Sequence, residues 1–135
     1  MQELPRPLGD LTLRQQHPTS CGATCVAFRT GVSLVEAERV TGRYRTSTRR
    51  LANALRALGW DSATRLCRLT THQRPQPGDV VKITWLPGPK SHWVVKLVEG
   101  YFDPIHGVTT DAFYRRRPRP GRATSFLSVF RPSVS

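Results

Sequence analysis

Three residues of this chain have the types and surroundings for nucleophilic chemistry: Cys21, His92 and Asp103. Cys21 stands in Gln15-Gln16-His17-Pro18-Thr19-Ser20-Cys21-Gly22-Ala23-Thr24-Cys25-Val26-Ala27-Phe28, where a polar, Pro-containing loop runs into small and apolar residues. Thr19 or Ser20 suits a helix N-cap and Gly31 a left-handed stop, so the cysteine falls in the first helical turn. Unsatisfied amides and the positive end of the helix dipole favour a thiolate there, and the thiolate is the nucleophilic form. Such a thiol needs a base, and the base needs an orienting group. His92 opens a β-type run, Trp93 to Val98; after a Glu-Gly turn, Tyr101-Phe102 forms a second run ending at Asp103. Two adjacent antiparallel strands would carry His92 and Asp103 to the same end of a sheet. A carboxylate held there against an imidazole suits acyl transfer through a thioester.

The elements that must position these groups read as helices first and strands second. Residues 1–13 read as an N-terminal arm, with Leu11-Thr12-Leu13 able to form a short strand. The nucleophile helix follows. Ser33-Leu34-Val35-Glu36 is a capping-box pattern opening a second helix that stops at Gly42. Thr46-Ser47-Thr48 caps a third, with Leu51, Leu55 and Leu58 on one face and Gly59 as its stop. Trp60 to Leu69 alternates and reads as a strand, as do Val80 to Trp85 and Ser125 to Phe130. Leu86-Pro87-Gly88-Pro89-Lys90 is a loop immediately before His92, where it would shape a cleft. Asp111 to Tyr114 reads as a short helical turn and residues 115–122 as an exposed Arg/Pro-rich loop. At 135 residues the chain is one domain.

The order Gln15-x5-Cys21-Gly22-x2-Cys25, then His92-Trp93-Val94-Val95 and Asp103-Pro104, resembles the papain-like cysteine peptidases. Within them it is most similar to the C39 group, whose members cut double-glycine leader peptides. The match runs from about Gln15 to Phe113. Its Cys-to-His gap of 71 positions is shorter than the roughly 130–150 of papain itself and fits the compact C39 layout better. The resemblance implies an α+β, papain-like fold, with an N-terminal helical half carrying Cys21 packed on a small antiparallel sheet carrying His92 and Asp103. It makes Cys21 the nucleophile, His92 the general base, Asp103 its orienting partner and Gln15 the oxyanion donor. Gly22, Trp93, Pro89 and Ser91 would contact substrate. The expected activity is cleavage of a peptide or related amide bond in a peptide or protein substrate, with no cofactor and no metal. C39 domains are usually fused to transporters; this chain reads as a free-standing hydrolase.

The charge points elsewhere. Net +12 comes from 21 basic residues, of which 18 are Arg, against 9 acidic ones. The bland reading is a solvated basic surface; the functional one is a polyanionic partner, as Arg forks suit phosphate and carboxylate alike. The alternative function is therefore a C39-like toxin or effector acting on RNA, with Arg115, Arg116, Arg117 and Arg119 as nucleic-acid contacts. His17, Cys21 and Cys25, at four-residue steps, could alternatively hold zinc, although Pro18 interrupts that face; Cys25 otherwise reads as a small core residue. No apolar run approaches the ~20 residues of a membrane span and the N-terminus does not read as a secretion signal. With an odd number of cysteines, a cytoplasmic, reducing location is expected.

Overall fold

The computed structural model describes residues 8–85, 90–116 and 120–130. Residues 1–7 of the expected arm, the expected substrate contact Pro89 and the expected nucleic-acid contacts Arg117 and Arg119 lie outside them. The fold is α+β. Helices α1 (Cys21–Thr30), α2 (Leu34–Thr41) and α3 (Thr48–Ala57) come first and pack on an antiparallel sheet. Gly22 to Phe28 of α1 are all buried, so it is a core helix rather than an amphipathic surface one. It ends as expected at Gly31, whose φ of 83° suits the residue without a Cβ. Ser33 caps α2 by accepting the Glu36 N–H at 3.1 Å. Glu36 turns its carboxylate to Arg39, so only half of the capping box is made. Ser47 caps α3 through the Arg50 N–H at 3.2 Å, and Leu51 and Leu55 face the core.

The strands are β1 (Asp61–Ser62), β2 (Cys67–Arg68), β3 (Val80–Trp85), β4 (Ser91–Lys96), β5 (Tyr101–Asp103), β6 (Gly107–Thr109), β7 (Gly121–Leu127) and β8 (Val129–Phe130), with a short α4 (Asp111–Arg115) between β6 and β7. Six form one sheet in the order β2-β7-β3-β4-β5-β6; β1 and β8 pair separately. Val80, Trp93, Val95, Phe102 and Leu127 share the main core with the helices. Val81, Ile83, Val94, Tyr101 and Tyr114 form a second cluster, as the alternation of strand side chains requires. Among the described residues no helix is long and apolar enough to cross a membrane.

Three expectations are corrected. Trp60 to Leu69 is not one strand but two short ones, because between Ala63, which bonds to Ser128 O, and Cys67, which pairs with Phe126, this segment carries two more residues than its partner and bends away at 64–65. Residues 8–13 are neither strand nor free tail. Leu8, Leu11 and Leu13 pack on the main core, and Gly9 lies so close to the Phe28 carbonyl that a Cβ there would collide. Residues 115–122 are not one exposed loop. Arg115 ends α4, Arg116 is its C-cap, and Gly121 and Arg122 belong to β7, paired with Trp85 and Thr84.

Candidate active site

Cys21 is the first residue of α1, and Ser20 occupies the N-cap without capping it. The Ser20 hydroxyl turns back to His17, donating to its carbonyl at 3.0 Å and accepting its N–H at 3.2 Å. The first amides of α1 therefore keep their affinity for an anion. Gly22 follows Cys21 for reasons of space. A Cβ there would sit 2.6 Å from the Thr46 Cβ, so a larger residue would push apart the start of α1 and the approach to α3.

His92 and Asp103 meet by strand register. Val95 pairs with Phe102 and Lys96 with Tyr101, so continuing the ladder sets Asp103 opposite Val94. His92 is then its diagonal neighbour on the same face, within reach of a long side chain. His92 Nε2 lies 2.9 Å from Asp103 Oδ1. Phe102 faces the other way and stacks on Phe28 of α1, with centroids 4.1 Å apart. That stack docks the nucleophile helix on the strand that ends in the carboxylate. The Cys21 sulfur lies within interaction range of the His92 imidazole and of the backbone N–H groups of Trp93 and Gly22. With Nε2 on the carboxylate, Nδ1 is the imidazole nitrogen left for the sulfur.

The electrostatics follow from these contacts. Burial pushes the Cys21 thiol up, but the hydrogen bond and charge of His92, with the two amides, outweigh it and hold the pKa below the usual thiol value of 9.0. Burial alone would lower His92; hydrogen bonds to Asp103 and Cys21 and their charges raise it from 6.5 to about 9. A depressed thiol beside an elevated imidazole shifts both groups in the direction of a thiolate–imidazolium pair. Asp103 is fully buried. Burial pushes its carboxyl up, but the bonds from His92, Tyr114 and Ile105 bring it down to about 2.

Asp103 accepts from the Ile105 N–H at 2.7 Å, the His106 N–H at 3.3 Å and the Tyr114 hydroxyl at 2.7 Å, besides His92. Tyr114 spends its proton on the carboxylate, so the Thr109 hydroxyl, 2.7 Å away, donates to the Tyr114 oxygen. Tyr114 and Thr109 escaped the sequence reading. Their signal was a Tyr on a short helix after Asp-Pro: a buried phenol needs a polar partner. Trp85 was missed too; its ring lies 6.0 Å from that of His92.

The remaining expected site residues are placed differently. Gln15 gives its main-chain N–H to Pro104 O at 2.9 Å, tying the loop before Cys21 to the loop after Asp103. Its side chain is not an open donor: Nε2 donates to His17 O at 2.9 Å and Pro18 O at 3.1 Å. Its Oε1 is buried, with no partner among the described residues. The Trp93 ring, expected against substrate, is 6% exposed in the main core, and its Nε1–H donates to Thr46 O at 2.9 Å. One residue after His92 on a strand, it must face the opposite side. Gly22, also expected against substrate, is buried under Thr46. Ser91 is exposed at the start of β4. The zinc alternative is not assembled: His17 lies 3.7 Å from Glu38, and among the described residues no three His, Cys, Asp or Glu gather to hold a metal. Cys25 is buried in the core. Compared with protein-family models and with curated proteins, the chain matches none.

Proposed function

We propose that this chain is a papain-like cysteine hydrolase of the C39 kind, cleaving a peptide or related amide bond through a thioester on Cys21. The carrying observation is the continuous line from the Cys21 thiol through His92 to Asp103, with the thiol at a helix N-terminus. The helices-then-antiparallel-sheet layout supports the same reading.

The chemistry follows from the pair. The Cys21 thiolate attacks the carbonyl carbon, and the C=O electrons move onto oxygen beside the uncapped first turn of α1. The backbone N–H of Cys21 is one oxyanion donor. Gln15 is the second, after releasing its bond to Pro18; its orphaned oxygen means the present arrangement has little to lose. Each such donor is worth about 3 kcal/mol in the transition state. The C–N bond then breaks and His92 gives its proton to the leaving nitrogen. Water attacks the thioester while His92 takes its proton. The S–C bond breaks, freeing the acid product and the thiolate. Asp103 holds the imidazole orientation and stabilises its charged form.

A peptide aldehyde ending in Gly-Gly tests this, the small residues following from the C39 resemblance. A reversible hemithioacetal on Cys21, absent in Cys21→Ser, is the expected mass-spectrometric result. No adduct, with iodoacetamide still alkylating Cys21, would count against an oxyanion site beside the thiol.

A further inference from the structure

A second feature lies on the sheet face that carries Tyr101, against which Tyr114 of α4 packs. A cavity of about 170 Å³ opens there, lined by Arg74, Arg115 and Arg122, with Tyr101, Asp111 and Leu69. The three arginines come from distant places: the crossover before β3, the end of α4 and the second residue of β7. Asp111 and Arg115 stand one helical turn apart on α4 and face the cavity together. The Tyr101 hydroxyl donates to Asp111 Oδ1 at 2.7 Å, which fixes that carboxylate against the sheet. Among the described residues, none of the three guanidiniums makes an ion pair, whereas Arg39 and Arg43 pair with Glu36 and Glu38. Three cations against one carboxylate leave an excess of positive charge around a concavity. Lys96 adds to it, its Nζ 5.6 Å from the Tyr101 ring centre.

We propose that the Arg74–Arg115–Arg122 cavity binds a phosphoryl group. Guanidinium forks match the oxygens of phosphate and carboxylate alike. Three arginines lining one cavity from three separate elements suit the three-fold disposition of terminal phosphate oxygens better than the planar pair of a carboxylate. A phosphate monoester, with up to two negative charges, also matches the local excess better than a singly charged carboxylate. The site is separate from Cys21 and does not rest on the hydrolase reading. It shares α4 with that site, because Tyr114, which donates to Asp103, belongs to the same helix as Arg115 and Asp111.

The test is calorimetric titration with inorganic phosphate at constant ionic strength, in wild type, Arg74→Gln, Arg122→Gln and the exposed control Arg45→Gln. Arg74 and Arg122 are exposed, so both variants should fold; circular dichroism checks this. Saturable binding, weakened about tenfold or more in Arg74→Gln and Arg122→Gln but unchanged in Arg45→Gln, supports the site. Absence of saturation, or an equal loss in Arg45→Gln, overturns it, because diffuse surface charge then explains any binding. A short oligonucleotide with and without a 5′-phosphate identifies the source. A gain specific to the phosphorylated end, lost in Arg74→Gln, points to a nucleic-acid terminus; binding of free phosphate alone points to a small-molecule ligand. The Cys21 alkylation rate, read in the same samples, reports separately on the thiol site.

Discussion

Asp103 ends β5 beside Pro104, whose carbonyl takes the Gln15 main-chain N–H, and the fold treats the oxygens of these two side chains in opposite ways. Asp103 is buried and receives donors from His92, Ile105, His106 and Tyr114. Gln15 has one buried oxygen that meets no donor among the described residues, and its two amide hydrogens hold carbonyls of its own loop. A saturated anion has nowhere better to go, so it fixes the imidazole. An amide that is half satisfied can turn at low cost. In the hydrolase proposed above, the difference would separate the part that must stay still from the part that turns toward substrate.

Removing the saturated partner should therefore cost most. Asp103→Ala strands the Tyr114 hydroxyl and the charged His92 inside the protein, and should lose about 3–5 kcal/mol in urea unfolding. A loss under 1 kcal/mol would break the contrast at its stronger end. Tyr114→Phe removes a single donor and should cost about 1.5–3 kcal/mol. It should also change the acid limb of stability. The Asp103 pKa is lowered from 3.8 to about 2, so its contribution is present above 3.8 and disappears as pH falls through 2. With the hydroxyl gone, the folded pKa rises toward 3.8 and this contribution shrinks across the whole neutral range. Gln15→Ala should cost least, within about 1 kcal/mol, because the loss of its loop bonds is offset by removing the orphaned oxygen. Amide hydrolysis by the same variant should nevertheless fall by about 10²–10³-fold. If stability and rate move together instead, Gln15 is a structural residue only.

Much of this arrangement was legible because it depends on local rules. Cys21 at a helix start, the caps at Ser33 and Ser47, and the stop at Gly31 follow from residues within one turn. His92 and Asp103 were placed by a strand–turn–strand reading that needs only alternation and one hairpin. What escaped depends on distant partners. Trp60 to Leu69 splits because it carries two residues more than the Phe126–Ser128 stretch it faces, a mismatch that shows only once the two segments pair. Leu8, Leu11 and Leu13 look like a tail until the core they cover is built. Tyr114 acquires a role only once β6 and α4 fold it back onto Asp103, and the three-residue β6 carries almost no pattern of its own. Arg115 reads from the sequence only as one of a run of nucleic-acid contacts, and Arg74 and Arg122 as undifferentiated charge, until loop, helix and strand bring the three to one cavity.

The thiolate–imidazolium pair is tested most directly by the pH dependence of Cys21 alkylation with iodoacetamide, in wild type and His92→Ala, with Cys21→Ser to subtract the other thiols. His92 holds the thiol pKa below 9.0 against the upward push of burial. The wild-type midpoint should fall below that value, and without the imidazole only the Trp93 and Gly22 amides oppose burial, so the midpoint should move up from its wild-type position. Coincident midpoints in the two proteins, at an ordinary thiol value, would contradict the pairing and the hydrolase reading with it.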